Sequence, residues 1–154
     1  MNSVEVVLEM HEVMSGAMIG VMRQMENIKQ DLKHKHGYTA NNNWQLHIDG
    51  ALAEQALAKH QNIYYSKGVL RGNDVGEFEV RSTRHQNGSL IIHKDDKRDS
   101  FYYLLTGTEN KWRIHGGMFA RDAMQERYWS DPTGKNRPAY FVPQKDLVWH
   151  HEAS

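Results

Sequence analysis

The sequence predicts a mixed α/β domain, and three of its features carry that prediction. Apolar residues recur at helical spacing near the N-terminus, and a second, alanine-rich stretch follows. Short alternating segments, separated by glycine-containing or charged turns, then fill the middle of the chain. The order helix, helix, strands, helix, strand implies a central mixed sheet flanked by helices, with a long N-terminal helix. At 154 residues the chain has the length of a single domain. Within it, residues 1–36 read as a helical extension, 44–129 as the core and 130–154 as a final strand and tail.

The first helix is expected from about Val4 to Lys35, because Met14, Met18, Val21, Met25, Ile28 and Leu32 alternate spacings of four and three. Ser3 is a candidate N-cap and Gly37 a candidate stop. The stripe suits packing on the rest of the domain, and it equally suits a homodimer seam. Gly16 and Gly20 allow close helix contact at some expense of helix propensity. A polar loop, "HGYTANNN" at 36–43, precedes a second helix over roughly Trp44 to His60. Ala51, Ala53, Ala56 and Ala58 make that helix slim, and Glu54 sits among them.

Asn62 to Tyr65 reads as a short strand. Glu77–Thr83, Ser89–His93, Ser100–Thr106 and Lys111–His115 follow in the rhythm of an antiparallel meander. Gly117 to Trp129 reads as a third helix, and "AYFVP" as the last strand.

Composition removes several classes of function. No cysteine is present, which excludes disulfides, thiolate zinc sites and cysteine nucleophiles. Basic and acidic residues balance at 19 each, so binding of nucleic acid through bulk charge is not expected. Cations do gather between Lys67 and Arg98. Glu5, Glu9 and Glu12 interrupt what would be the apolar part of a secretory signal. No run approaches the roughly 20 apolar residues that cross a bilayer. The expectation is a cytoplasmic protein without a membrane partner.

The stretch "NDVGEFEVRST", Asn73 to Thr83, carries the candidate chemistry. With period two, Phe78 and Val80 face one way, and Glu77, Glu79 and Arg81 face the other. Such a strand is either a solvated face with surface ion pairs or the wall of a site. Hard divalent cations take oxygen ligands, commonly carboxylates with water and phosphate oxygens. Asp74 at a turn and Glu79 on the strand are placed to share one ion, and a helix glutamate, Glu54, can complete or orient its shell. Arg81 lies on the same face, where a guanidinium can meet a phosphate. Glu77 competes with Glu79 for the ligand role. Histidine metal sites have no supporting spacing, and Tyr64, Tyr65, Tyr102 and Trp112 read as sheet core rather than base-stacking platforms.

The succession "IDGALAEQALAKH", "NDVGEFEVRSTRH", "SLIIH" and "YYLLTG" resembles the core of the PD-(D/E)XK nuclease superfamily. It looks most like the small members encoded by phages and prophages. "WRIHGGMFARDA", Trp112 to Ala123, is similar to a strand-to-helix passage late in those proteins. The resemblance spans roughly Trp44 to Trp129 and implies a restriction-endonuclease-like core, Mg²⁺ or Mn²⁺ as cofactor and DNA as substrate. It carries Asp74 and Glu79 to the metal ligands, Glu54 to the helix acid and Arg81 to the position of the usual catalytic lysine. Arg84 and His85, just beyond the strand, become candidate phosphate contacts. For a phage-encoded protein the location would be the host cytoplasm.

Two positions depart from the pattern. Asn73 stands where a proline often precedes the aspartate. Arg81 stays protonated and binds phosphate as a planar fork, so it cannot serve as a base. Hence the alternative is a catalytically impaired nuclease-fold protein that binds DNA or protein.

Overall fold

A computed structural model describes residues 3–33, 43–65 and 74–153. The chain begins as a strand. β1 (Val4–Val7) is β-branched at three of its four positions and pairs antiparallel with β5 (Lys111–Phe119), Val4 opposite Ile114. Pairing with a formed sheet satisfies this backbone and buries Val6 and Leu8, so the helix expected from Val4 starts later, as α1 (Met10–Lys33). Ser3 is not its cap. Its Oγ accepts from Arg113, while the Glu9 N–H at the helix start donates to Glu12 Oε1 at 2.8 Å. Gly37 lies outside the described residues.

α1 packs on α2 (Asn43–Gln61) along Gly16, Gly20 and Gln24 rather than along the methionine stripe. A Cβ on Gly20 would stand 2.5 Å from the Ile48 Cα. The two backbones therefore approach more closely than methionines would permit. The methionines of the stripe face outward as a result, Met14, Met18 and Met25 at 66%, 60% and 49% exposure, while Val21 and Ile28 are half-buried. Gly16 and Gly20, read from the sequence as permitting close helix contact, are where that contact forms, while the expectation for the methionine stripe is corrected.

α2 lies between α1 and the sheet, and Ala51, Leu52, Ala53, Ala56, Leu57 and Ala58 are all buried. It ends at Asn62, whose φ of 56° turns the chain while the Ile63 N–H returns to the Ala58 carbonyl at 2.9 Å. Ile63 to Tyr65 then run without strand pairing, where a strand was expected.

The main sheet has the order β1-β5-β4-β2, with β2 (Phe78–Thr83) and β4 (Phe101–Thr108) parallel and the other pairs antiparallel. The expected meander is not formed. β3 (Leu90–Ile92) leaves to pair with β7 (Ala139–Val142) in a second sheet, β3-β7-β6, completed by β6 (Trp129–Ser130). That excursion carries the chain back to the start of the first sheet, which makes β4 parallel to β2.

The expected third helix is also corrected. β5 continues through Gly116 and Gly117 to Phe119, and one helical turn, α3 (Ala120–Ala123), remains. Gly117 exchanges backbone hydrogen bonds with Val148 at 2.7 and 3.0 Å, so tertiary pairing outweighs the local helical pattern.

The main sheet is the middle layer. One face, with Phe101, Tyr103, Trp112 and Ile114, packs on α2. The other, with Tyr102 and Leu104, packs on Leu90, Ile92, Val142 and Leu147. No helix among the described residues is long and apolar enough to cross a membrane.

Candidate carboxylate site

β2 is the edge strand of the main sheet, and its period sets the site. Phe78 and Val80 belong to the core under α2. Glu79 and Arg81 take the opposite face, beside Tyr102 and Leu104 of β4. Ahead of the strand, Gly76 with φ 55° closes a tight turn in which Val75 and Phe78 exchange backbone hydrogen bonds. The turn folds Asp74 back along the open edge, where its Oδ2 accepts the Val80 N–H at 2.8 Å.

Asp74 and Glu79 thus come together. Glu79 is buried, and its carboxyl is held above the ordinary glutamate range by that burial first and by the charge of Asp74 second. Asp74 lies within reach of Glu79, and its nearness favours the protonated form of the glutamate. Opposing this, Lys97 Nζ donates to Glu79 Oε1 at 3.2 Å. Glu77 is solvent-facing and meets His150 at 3.5 Å, so of the two competing glutamates Glu79 is the one beside Asp74.

Arg81 is engaged elsewhere. Its guanidinium donates to Asp96 Oδ1 at 2.8 Å and lies 4.9 Å from the Tyr102 ring centroid. Asp96 and Lys97 both come from the charged turn after β3, which folds over this face. The turn is fixed by the His93 N–H on Asp96 Oδ2 and by the Lys97 N–H on the Tyr102 hydroxyl. Lys97 is the residue that sequence reasoning missed. The only signal was the density of charge in "KDDKRD", opposite an acid-bearing strand.

Glu54 is buried on α2 and held by three hydrogen bonds. Arg23 of α1 grips it with two, at 2.8 and 2.7 Å, and the Tyr65 hydroxyl donates a third at 2.8 Å. Burial disfavours the Arg23 charge, but Glu54 outweighs it and raises the arginine further above its usual range. Tyr65 is pushed up by burial and then by Glu54. Asp74 is close enough to act electrostatically on both Arg23 and Tyr65. Glu54 is therefore linked to the carboxylate pair through that arginine and tyrosine. Its oxygens do not converge with those of Asp74 and Glu79. Among the described residues, the one trio of potential ligands within 4.8 Å of each other is Glu9, His11 and Glu12. In that trio Glu12 is taken by Lys59 at 2.8 Å.

Arg84 and His85 lie past the far end of β2. Arg84 pairs with Asp49 at 2.8 Å, and both residues line a separate 580 Å³ cavity with Leu46 and Trp112.

Two adjacent carboxylates that repel each other when both ionised form a donor set suited to a hard cation. No protein-family model, curated protein or solved structure matches the chain. What fold and site define is a mixed α/β domain carrying a carboxylate pair and an ammonium at the open edge of its main sheet.

Proposed function

We propose that the protein is a Mg²⁺- or Mn²⁺-dependent nuclease that hydrolyses phosphodiester bonds in DNA, on a PD-(D/E)XK-type core. The observation that carries this reading is the meeting of Asp74, Glu79 and Lys97 at one edge. Asp74 and Glu79 would hold the ion. When bound, the ion supplies Lewis acidity and lowers the pKa of water. Lys97, whose side chain is exposed, would donate to a phosphate oxygen or orient the attacking water, a task the resemblance gave to position 81. Arg81 keeps further N–H donors beyond the one on Asp96 and would clamp the same phosphate. Glu54 would act by positioning Arg23 and Tyr65 behind Asp74. Arg84 and His85 would touch DNA farther along the strand. Its place of action would be a cytoplasm, and the host cytoplasm if, as the resemblance implies, a phage or prophage encodes it.

The test is cleavage of circular and linear DNA, double- and single-stranded, with Mg²⁺ or Mn²⁺ and with chelator. Metal-dependent cutting that disappears in Glu79→Ala is the expected result. Cutting that persists in that variant removes the site from the reaction.

A second reading is favoured by the exposed methionines of α1: a catalytically silent protein that binds DNA or protein and pairs with itself through this helix. Sedimentation distinguishes it, since Met18→Glu would convert a dimer to a monomer. A folded protein that neither cuts DNA nor is stabilised by divalent ions would make this reading the better one.

A further inference from the structure

A second constellation lies on the same sheet face as Glu79 but at its other end. Thr106 of β4 is four residues beyond Tyr102, the neighbour of Glu79, or about 13 Å at ~3.3 Å per residue. Its Oγ1 stands 2.7 Å from His115 Nε2, and both side chains are buried.

The pair is built by a β-bulge. Leu105 pairs with Ile114 and Leu104 with Gly116, which leaves His115 as the extra residue on β5. Gly116, at φ 108°, supplies the backbone conformation. Such a bulge re-aims a side chain, and here it brings the imidazole onto the face where Thr106 stands.

The pair is part of the lining of a 440 Å³ cavity. Asn87 and Gln144 line it from beyond the sheet, and Gln144 fixes the loop by donating to the carbonyls of Gln86 and Gly88 at 2.7 and 3.0 Å. Lys111 and Arg113 bring positive charge to the same wall. Arg113 is matched by Glu5 at 3.2 Å, while Lys111 is exposed and forms no ion pair among the described residues. The cavity therefore carries one unbalanced cation. Burial first, and Arg113 second, hold His115 below its usual range, so the ring is neutral at pH 7. A neutral ring that donates Nε2–H to Thr106 Oγ1 leaves the threonine hydroxyl hydrogen free to donate in turn.

We infer that this cavity is an anion-binding site for a phosphate group, with Lys111 giving the charge, and Thr106, set by His115, and the Asn87 amide giving the neutral donors. A volume of 440 Å³ exceeds what a bare phosphate fills and suits a phosphate carried on a small organic body. The phosphate has two conceivable carriers, a free monoester or the backbone of a nucleic acid. The inference stands independently of the nuclease reading, because none of these residues belongs to the carboxylate site.

Thermal melting of the full chain in sodium phosphate, against sodium chloride of equal ionic strength, tests it. The expected result is a phosphate-specific rise in Tm, with apparent affinity about tenfold weaker in Lys111→Ala and Thr106→Val. Lys111 is exposed, so its variant reports even if Thr106→Val fails to fold. No phosphate-specific rise, or a rise unchanged in Lys111→Ala, overturns the inference. So does a rise that disappears in Lys97→Met, since phosphate would then sit on the ammonium of the carboxylate site. Adenosine 5′-monophosphate and a short single-stranded oligonucleotide then separate the carriers. Tighter binding of the former, lost in Lys111→Ala, marks a free monoester. Displacement of phosphate by the latter marks a backbone contact.

Discussion

Removing Arg23 should damage this protein more than removing any other surface-derived cation. Its guanidinium and the Glu54 carboxylate are 13% and 7% exposed, and two hydrogen bonds of 2.7 and 2.8 Å join them. In Arg23→Met the methionine refills much of the volume, but Glu54 keeps only the Tyr65 hydroxyl. Breaking a buried pair by deleting one partner costs about 3–5 kcal/mol, because a charge is left behind without compensation. For a domain of this size each kcal/mol moves Tm by about 2–4 °C, so a fall of roughly 10 °C is expected. Urea unfolding measures the free-energy loss and thermal unfolding the fall in Tm, both followed by far-UV circular dichroism. The double variant Arg23→Met, Glu54→Leu should recover most of the loss, since it removes both charges. A loss below about 1 kcal/mol in the single variant would refute the reasoning, because that is what a solvated pair gives.

Four further expectations follow from the structure. Glu79 has its folded pKa raised, so its contribution to stability is present below the ordinary glutamate range and is lost as pH rises through the folded value. Glu79→Gln should therefore be more stable than the parent at neutral pH, with the two converging near pH 4 in urea titrations. If Asp74 and Glu79 hold Mg²⁺ as proposed, the parent alone should gain about 2.7 kcal/mol at a hundred times the Kd, since only the folded state would offer that pair. Lys97→Met should lower metal-dependent cleavage by about 10²-fold while leaving Tm nearly unchanged, as its side chain is 63% exposed. Gly20→Ala should destabilise by about 1–3 kcal/mol despite better helix propensity, since its methyl would press on the Ile48 backbone; an unchanged urea midpoint would contradict the close α1–α2 contact.

Much of the site's local logic was legible in the sequence. The alternation of Phe78, Glu79, Val80 and Arg81 states which side chains share a face, and the structure keeps that assignment. The alanines of α2 announced a helix that lies tight against its neighbours, with Glu54 among them. These are properties of a chain's own period, settled within a few residues.

What opposes a face is another matter. Glu79 meets Lys97, Arg81 meets Asp96 and Glu54 meets Arg23, partners 18, 15 and 31 residues away. The same holds for strand pairing: the turns indicated β2, β3 and β4, but β3 found its partner in β7 and left β2 and β4 parallel. The methionine stripe shows the limit most clearly. Its heptad spacing marked a contact line, yet two glycines on another face of α1 allowed a closer approach to α2, and the methionines were left in solvent. Period and propensity determine the faces a segment offers. Which faces meet is decided by contacts summed over the whole fold, where close backbone approach and long-range charge pairing outweigh local pattern.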